Sequence, residues 1–272
     1  MNGKRPIRVA VCGAAGRMGR AVIRALLEPP DLVLVAAFGR QRGIGQDAGE
    51  VAGTGRLGIA LEPSSRIADL AGRADVLVDF SPGSAAVANA LRAVEAGVRP
   101  VVGGTGYTPQ ELEPLERACA ERRLGGLAAP NFALGAALLL RFAQQAVRHF
   151  PHVEIIELHH DRKRDAPSGT ALRTAQLLAS ARGEAPVPKV HEEEHITGVR
   201  GGVYEGIRVH SVRLPGLAAH QEVLFGGPGQ TLLIRHDAVG EEAYMPGVLL
   251  AIRRVMTLDR LVVGLEELVG IP

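Results

Sequence analysis

The fold of this chain is decided by Ile7-Arg8-Val9-Ala10-Val11-Cys12-Gly13-Ala14-Ala15-Gly16-Arg17-Met18-Gly19. Its first six residues form an apolar run that predicts a short buried strand, and a helical pattern follows at Ala21–Leu27. Three glycines occupy the turn between strand and helix. Strand, glycine turn and helix in this order favour a site for the phosphates of a dinucleotide, with a purely structural turn as the alternative.

Each glycine of this turn has its own predicted role. Gly13 permits the sharp turn, Gly16 lets a pyrophosphate approach the backbone, and Gly19 lets the helix pack close to the strand. The spacing is GxxGxxG rather than the commoner GxGxxG, and Ala15 stands where a glycine is usual. The flanking strand and helix therefore support the prediction as much as the spacing does.

The end of the next predicted strand, Leu32–Phe38, indicates which dinucleotide is bound. An acidic residue there binds the ribose hydroxyls of NAD, whereas an arginine meets the 2′-phosphate of NADP. The chain has Gly39-Arg40-Gln41-Arg42 at this point and no acidic residue before Asp47. Arg40 and Arg42 therefore favour NADPH over NADH, with ordinary surface arginines as the alternative interpretation.

Strand and helix patterns alternate through the first half, which predicts a parallel, doubly wound sheet of the Rossmann type. After the two strands above, the patterns predict strand Val76–Phe80, helix Ser84–Ala96, strand Pro100–Gly103, helix Pro109–Arg122 and strand Gly125–Ala129. Ligands of such sheets bind at the carboxyl ends of the strands. Those ends carry Gly13, Arg40, Asp79-Phe80-Ser81, Gly103-Gly104-Thr105-Gly106 and Ala129-Pro130-Asn131-Phe132, which predicts one ligand groove.

The second half has a different pattern, with strands grouped after helices. The predicted elements are helix Leu134–Phe150, strand Val153–Leu158, helix Ala171–Ala181, strands Ile207–Leu214, Gln221–Phe225 and Thr231–His236, helix Glu241–Met256 and run Leu261–Leu265. This order predicts an α+β domain with an open mixed sheet. We expect a dinucleotide-binding domain at 1–132 with 240–272 and a substrate-binding and oligomerisation domain at 133–239. Candidate hinges lie near Pro130-Asn131 and Asp237–Gly240.

Chemistry-bearing residues are concentrated in one loop, from Glu157 to Ala171. His159 and His160 end a predicted strand, and Ser168-Gly169-Thr170 open a predicted helix. A helix N-terminus holds an anion, histidine exchanges a proton near neutral pH, and Lys163 neutralises a carboxylate. The loop therefore favours protonation of a small acidic substrate over the alternative of a solvated basic surface loop.

Lys163 is also unusual for this composition. Among 31 basic side chains, lysine occurs only at Lys4, Lys163 and Lys189. Lys163 stands between Arg162 and Arg164, where an arginine would serve as well if only charge mattered. A lysine ammonium differs in being a compact charge whose proton can be given up, which favours a functional role.

A second histidine pattern points to zinc. His191-Glu192-Glu193-Glu194-His195 matches HExxH, but that chemistry needs both histidines on one face of a helix, and Pro186, Pro188 and Gly198 leave barely two turns. A charged loop is the better interpretation, and zinc hydrolysis is a remote alternative. We expect no metal site.

Composition excludes several other classes of protein. The net charge is +2, which gives no reason to expect nucleic acid or an anionic membrane as partner. The longest apolar stretch, around Ala133–Leu140, is too short to span a bilayer, and no signal peptide is visible. Cys12 and Cys119 are expected to be buried thiols in a reducing compartment. We therefore expect a cytoplasmic enzyme.

Four motifs together resemble one family. Gly13–Gly19, Gly103-Gly104-Thr105-Gly106, Ala129-Pro130-Asn131-Phe132 and above all Glu157–Ala171 are similar to those of dihydrodipicolinate reductase of bacterial lysine biosynthesis. The resemblance runs from about Ile7 to the C-terminus. It implies a Rossmann domain, a substrate and tetramerisation domain, and reduction of the cyclic product of dihydrodipicolinate synthase to tetrahydrodipicolinate by NADPH or NADH. A homotetramer is likewise implied.

The resemblance also implies residue roles. His159 would be the proton donor and Lys163 the second acid, and the substrate carboxylates would be held by His160, Ser168, Gly169 and Thr170. The cofactor would be lined by Gly13, Ala14, Ala15, Gly16, Arg17, Met18, Gly103, Gly104, Thr105, Ala129, Pro130, Asn131 and Phe132. Hydride addition to a conjugated imine leaves an enamine that must take a proton on carbon, so a nearby acid fits the reaction.

The chain departs from the family pattern at three places. Gly104 replaces the second residue of the usual Gly-Thr-Thr-Gly, Ser81-Pro82 brings a proline one place early, and Gly39-Arg40 replaces an acidic residue followed by arginine. Two alternatives stay open: another NADP-dependent oxidoreductase of amino-acid metabolism, and a nucleotide-binding regulator without catalysis. The segment from His159 to Thr170 argues against the first, and intact His159 and Lys163 against the second.

Overall fold

A computed structural model describes residues 5–183 and 193–270. The chain divides into two compact units. Unit 1 comprises Met1–Phe132 and Tyr244–Gly270, and unit 2 comprises Ala133–Ala243. The C-terminal part of the chain thus belongs to the same unit as the N-terminal part.

Unit 1 is built on a seven-stranded sheet in which every pairing is parallel. Numbered along the chain, its strands are β1 (Ile7–Cys12), β2 (Leu32–Gly39), β3 (Leu61–Pro63), β4 (Val76–Asp79), β5 (Arg99–Val102), β6 (Gly126–Ala128) and β12 (Leu261–Val263). Their order is β12-β6-β5-β4-β1-β2-β3. The central strands are buried because helices cover both faces, as apolar runs in parallel sheets require. The predicted Rossmann-type sheet is confirmed, including the return of the last strand.

The helices of unit 1 are α1 (Arg17–Ala25), α2 (Ala48–Ala52), α3 (Ser84–Glu95), α4 (Pro109–Arg122) and α7 (Met245–Val255). The prediction of one helix over Glu241–Met256 was wrong in its first turn, because Glu241–Tyr244 is a 3-10 segment. The sequence patterns also missed α2, β3 and the 3-10 segment Ser64–Leu70. These elements are short, and a single carboxylate organises the loop around α2: Asp47 accepts hydrogen bonds from the backbone N–H groups of Gly49, Glu50, Leu57, Gly58 and Ile59.

Unit 2 contains an open five-stranded sheet of mixed direction. Its strands are β7 (His152–His159), β8 (Gly202–Tyr204), β9 (Ile207–Arg213), β10 (Ala219–Gly227) and β11 (Gln230–Ala238), in the order β11-β10-β7-β9-β8. Only the central β7–β9 pairing is parallel, so the predicted mixed sheet is confirmed. The short edge strand β8 was not predicted.

Two helices of unit 2, α5 (Leu134–Ala146) and α6 (Gly169–Arg182), cover one face of this sheet. The buried side chains of Val153 and Ile155 on β7 pack in one core with Ala171 and Leu178 of α6. The prediction extended α5 to Phe150, but residues 147–149 form a turn before Pro151. A proline disfavours helical conformation in the residue before it, which explains the earlier end.

Candidate active site

The glycine turn of unit 1 follows β1 as predicted. Gly13 has a φ of +74°, a conformation that favours glycine, and its carbonyl oxygen accepts a hydrogen bond of 2.9 Å from the N–H of Gly16. A Cβ added to Gly19 would lie 2.2 Å from the carbonyl oxygen of Gly13. Any larger residue at position 19 would therefore push the start of α1 away from the end of β1.

A cavity of about 690 Å³ lies beside this turn. It is placed at the carboxyl ends of β1 and β4, where the strand order of the sheet reverses, which is the position at which such sheets bind dinucleotides. It is lined by Cys12, Gly13, Ala15, Gly16, Gly39, Arg40, Gln41, Arg42, Ser64, Phe80, Ser81, Pro82, Ala85, Ala88, Asn89 and Arg92. Its size, its bare glycine backbone and its arginines fit a dinucleotide phosphate.

Two lining residues of this cavity, Ser81 and Asn89, belong to a buried polar network that the sequence patterns did not predict. The carboxylate of Asp79 accepts hydrogen bonds from the backbone N–H of Ser81 at 2.6 Å and from the side-chain amide of Asn89 at 2.8 Å. Burial raises the pKa of Asp79, although these hydrogen bonds oppose the shift. A polar residue on the buried face of a predicted helix was the available signal for Asn89.

Other predicted cofactor residues lie outside the lining of this cavity, and two of them, Gly103 and Phe132, lie beside Phe80. The N–H groups of Gly103 and Gly104 both bond the carbonyl oxygen of Asp79, at 2.8 and 3.2 Å. The rings of Phe80 and Phe132 meet edge to face with centroids 5.6 Å apart. The described lining does not include Ala14, Arg17, Met18, Gly103, Gly104, Thr105, Ala129, Pro130, Asn131 or Phe132.

Two of the departures from the family pattern are in contact. A Cβ added to Gly104 would lie 2.0 Å from the carbonyl oxygen of Ser81. The backbone at Ser81-Pro82 therefore occupies the space that a side chain at position 104 would need. The glycine at position 104 and the proline at position 82 therefore belong to the same backbone contact.

The histidine site of unit 2 is organised by one buried carboxylate, Glu157, which is 0% exposed. Its carboxylate oxygens form hydrogen bonds with Nδ1 of His159, with two guanidinium N–H groups of Arg213 at 2.7 and 3.0 Å, and with the backbone N–H of Ser168 at 3.2 Å. Because Ser168 caps α6, the same carboxylate holds the end of β7 and the start of α6 together. The sequence patterns predicted this proximity but gave Glu157 and Arg213 no role.

Glu157 is ionised in this environment. Burial by itself raises the pKa of Glu157, but the hydrogen bonds from His159, Arg213 and Ser211 outweigh it and lower the pKa to about 2. An ionised carboxylate only accepts hydrogen bonds. Each of its partners is therefore a donor, including Nδ1 of His159.

The predicted second acid lies in the loop that follows β7. The ammonium of Lys163 bonds both carboxylate oxygens of Asp165, and Arg213 donates to the backbone carbonyl of Asp165 at 2.7 Å. Nδ1 of His160 is buried and has no hydrogen-bond partner among the residues that the structure describes. Arg213 thus connects the Lys163 loop to Glu157.

The start of α6 is open to a ligand. The hydroxyl of Ser168 accepts a hydrogen bond of 3.2 Å from the N–H of Ala171, and a Cβ added to Gly169 would meet no atom within 4 Å. First-turn N–H groups of a helix have no partner within the helix and carry partial positive charge. The N–H of Ser168 is already bonded to Glu157, so the open space beside Gly169 is the place at this helix start where a carboxylate fits.

The zinc pattern falls partly outside the described residues, since Pro186, Pro188 and His191 lie in the gap between 183 and 193. Its described part, from Glu193 onward, forms bends and turns through residue 200 rather than a helix. Within residues 5–183 and 193–270, no group of three or more histidine, cysteine, aspartate or glutamate side chains is arranged to hold a metal ion.

Both cysteines are buried thiols, as expected. Burial raises the pKa of Cys12 well above its usual range and that of Cys119 to about 11, which disfavours either as a nucleophile. In the part of the chain that the structure describes, no helix is long and apolar enough to cross a membrane.

The parallel sheet, its glycine turn and the cavity at its switch point define a dinucleotide-dependent oxidoreductase. Family models described as "Dihydrodipicolinate reductase, N-terminus" and "Dihydrodipicolinate reductase, C-terminus" match residues 7–132 and 135–269. The chain belongs to the dihydrodipicolinate reductase family, and its reaction is an NAD(P)H-dependent reduction of lysine and diaminopimelate biosynthesis.

Individual relatives are similar to this chain over almost its whole length. The 4-hydroxy-tetrahydrodipicolinate reductase of Moorella thermoacetica is 50% identical over 96% of this chain and 97% of its own length. That of Desulfitobacterium hafniense is 49% identical over 96% of this chain and 98% of its own. The solved structure of dipicolinate-bound dihydrodipicolinate reductase from Paenisporosarcina sp. TG-14 is similar with a TM-score of 0.83 and 39% identity, over 96% of this chain and 99% of that one. These comparisons confirm the predicted family, fold class and reaction.

Proposed function

We propose that this protein reduces the cyclic imine derived from 4-hydroxy-tetrahydrodipicolinate to tetrahydrodipicolinate, with His159 as the proton donor. The names of the relatives and the dipicolinate bound to one of them support a planar cyclic dicarboxylate as the substrate class. The observation that carries the proposal is the position of Glu157, which is hydrogen-bonded both to His159 and to Ser168, the N-cap residue of α6. A proton donor and an anion-binding helix end therefore lie beside one carboxylate.

In the proposed mechanism, the chain binds the dicarboxylate and protonates the ring. When bound, the reduced nicotinamide supplies the hydride. His159 gives its proton to the ring carbon of the resulting enamine from Nε2, the imidazole nitrogen that Glu157 does not engage. Lys163 neutralises a carboxylate and favours the movement of charge toward the ring nitrogen.

The substrate carboxylates are held by His160, Ser168, Gly169 and Thr170 in this proposal. The support is the capped start of α6, the open space beside Gly169 and the buried, unbonded Nδ1 of His160 among the described residues. When substrate binds, its carboxylate would replace Asp165 as the partner of Lys163. The ammonium of Lys163 would then be paired with a carboxylate both before and after substrate binding.

We assign NADPH as the preferred cofactor over NADH. Arg40 and Arg42 line the cavity at the end of β2, where a 2′-phosphate would meet them. Cofactor binding is assigned to 1–132 with 240–272, and substrate binding and oligomerisation to 133–239. A cytoplasmic homotetramer completes the proposal, in line with the family.

A coupled assay tests the reaction. Pyruvate and aspartate semialdehyde are condensed by a dihydrodipicolinate synthase, this protein and NADPH are added, and loss of the reduced nicotinamide signal is followed. We expect prompt oxidation that requires the synthase and is slower with NADH at equal concentration. Absence of oxidation with either cofactor, despite NADPH binding, would reject the substrate.

Two variants test the acids. His159→Gln and Lys163→Ala should each lower turnover at least about 100-fold while NADPH binding persists, because positioned acids contribute that much. Lys189→Ala, which removes one of the other two lysines, is the matched control for charge. Near-wild-type turnover in either site variant would show that the assigned acid is wrong.

A further inference from the structure

The side chains of β7 alternate between two faces of the mixed sheet, and this alternation places Glu157 on the covered face. Val153 and Ile155 share that face and pack against α5 and α6. Glu157 continues the same row at 0% exposure, and His159 follows it at the end of the strand. A carboxylate at a core position is costly unless it is fully paired, so its retention here needs a reason.

We propose that Glu157, held in place by Arg213, is a positioning residue that fixes His159 as the tautomer with hydrogen on Nδ1 and leaves Nε2 to exchange the catalytic proton. The proposal rests on the proposed role of His159 as the acid. Glu157 does not itself touch the substrate in this role.

The hydrogen-bond pattern carries the tautomer assignment. Oε2 of Glu157 receives Nδ1 of His159 and one guanidinium N–H of Arg213, while Oε1 receives the other guanidinium N–H and the N–H of Ser168. These contacts, like the hydrogen bond from Ser211, end on an ionised, acceptor-only group. Nδ1 of His159 must therefore carry its hydrogen in both the neutral and the protonated imidazole.

Arg213 makes this arrangement rigid and electrically balanced. Its bidentate pairing fixes the plane of the carboxylate and neutralises a charge that would otherwise be buried alone. It also donates to the backbone carbonyls of Asp165 and Val212, at 2.7 and 2.8 Å. One ion pair thereby sets the orientation of His159, the start of α6 and the loop that carries Lys163.

The same strand offers a matched control. Glu154, on the opposite face of β7, bonds Nε2 of His210 at 2.8 Å and Arg200 at 2.6 Å. This second glutamate, histidine and arginine group lies outside the proposed site and is partly exposed. Glu154→Gln therefore removes the same chemistry from the same strand without touching His159.

The experiment compares full-length E157Q, E154Q and H159Q by steady-state kinetics in the coupled assay and by ¹⁵N NMR with selectively labelled histidine. The imidazole signals of His159 are assigned by their loss in H159Q, against the nine histidines of the chain. We expect wild type to show the Nδ1–H tautomer. E157Q should show a mixture of tautomers and a kcat reduced at least about tenfold, because a positioned acid contributes roughly 100- to 10,000-fold. KM should rise by a smaller factor, since Glu157 also bonds the start of α6. E154Q should match wild type in both readouts.

Further variants keep the test decisive. If E157Q does not fold because Arg213 is left buried without its partner, E157Q/R213Q removes both charges and should show the same loss of kcat and of tautomer order. Glu157→Asp, which keeps a carboxylate, should recover part of both. Wild-type kcat and a wild-type histidine spectrum in a folded Glu157 variant, together with an inactive H159Q, would overturn the positioning role. An active H159Q would instead reject the proposed acid, while the NMR spectrum would still report the tautomer.

Discussion

Nζ of Lys163 lies 2.8 Å from each carboxylate oxygen of Asp165. The pairing lowers the pKa of Asp165, so the carboxylate is ionised at neutral pH and neutralises the ammonium. A substrate carboxylate that binds Lys163 must therefore displace Asp165 or share its partner. The relationship makes Asp165 an internal competitor of the proposed substrate.

Asp165→Asn should therefore strengthen substrate binding. Exposed ion pairs contribute about 0.2–1 kcal/mol, so we expect KM for the cyclic imine to fall by up to about fivefold. The measurement is KM for the imine at saturating NADPH. Asp161→Asn removes an exposed charge from the same loop and should leave KM unchanged. An unchanged or higher KM in Asp165→Asn would show that Asp165 orders the loop rather than competing with substrate.

Arg40 should control the preference between NADPH and NADH. Arg40→Ala removes a guanidinium from the cavity at the end of β2, so we expect the Kd for NADPH to rise at least about tenfold and that for NADH to change little. Fluorescence titration of both cofactors measures this. Arg56→Ala removes an exposed charge that does not line the cavity and serves as control. An equal rise in Kd for NADPH and NADH would show instead that Arg40 contacts a phosphate present in both cofactors.

The glycines of the turn should separate stability from cofactor binding. In Gly19→Ala, the new Cβ would lie 2.2 Å from backbone, and overpacking of this kind costs about 1–3 kcal/mol, so Tm should fall by several degrees. In Gly16→Ala, the nearest atom would be 3.0 Å away, so stability should fall less while NADPH affinity drops. Thermal denaturation and NADPH titration of both variants measure the difference. A larger loss of Tm in Gly16→Ala and a larger loss of NADPH affinity in Gly19→Ala would contradict the roles assigned to the two glycines.

Glu157 should make stability depend on pH in acid. Its pKa is about 2 in the folded chain against 4.5 for the ordinary group, so its ionisation stabilises the fold above pH 4.5 and the contribution is lost as pH falls toward 2. The shift corresponds to about 3 kcal/mol. We expect the difference in free energy of unfolding between wild type and Glu157→Gln to become smaller as pH falls from 4.5 toward 2. Denaturant unfolding at several pH values measures it, and a constant difference would show that Glu157 is not ionised in the folded state.

Much of the candidate site was predictable because its parts are close in sequence. Gly13, Gly16 and Gly19 lie in one turn, and the residues from His159 to Thr170 lie in one loop between a strand and a helix that the apolar pattern locates. The buried pairing of Glu157 was missed although the sequence contains a signal for it. Counting in steps of two from Val153 places it on the same face as Ile155, where an acidic residue must find a partner.

By itself, the sequence determined the parallel sheet of unit 1, the mixed sheet of unit 2 and the two segments in which the candidate site residues lie, since periodicity and glycine placement act over short distances. Only the tertiary structure decided the partners of the buried carboxylates. Arg213 lies 56 residues beyond Glu157 and reaches it because β9 pairs with β7, and Asn89 reaches Asp79 because α3 packs beside β4. Such contacts depend on which strands become neighbours, and no local pattern records that choice.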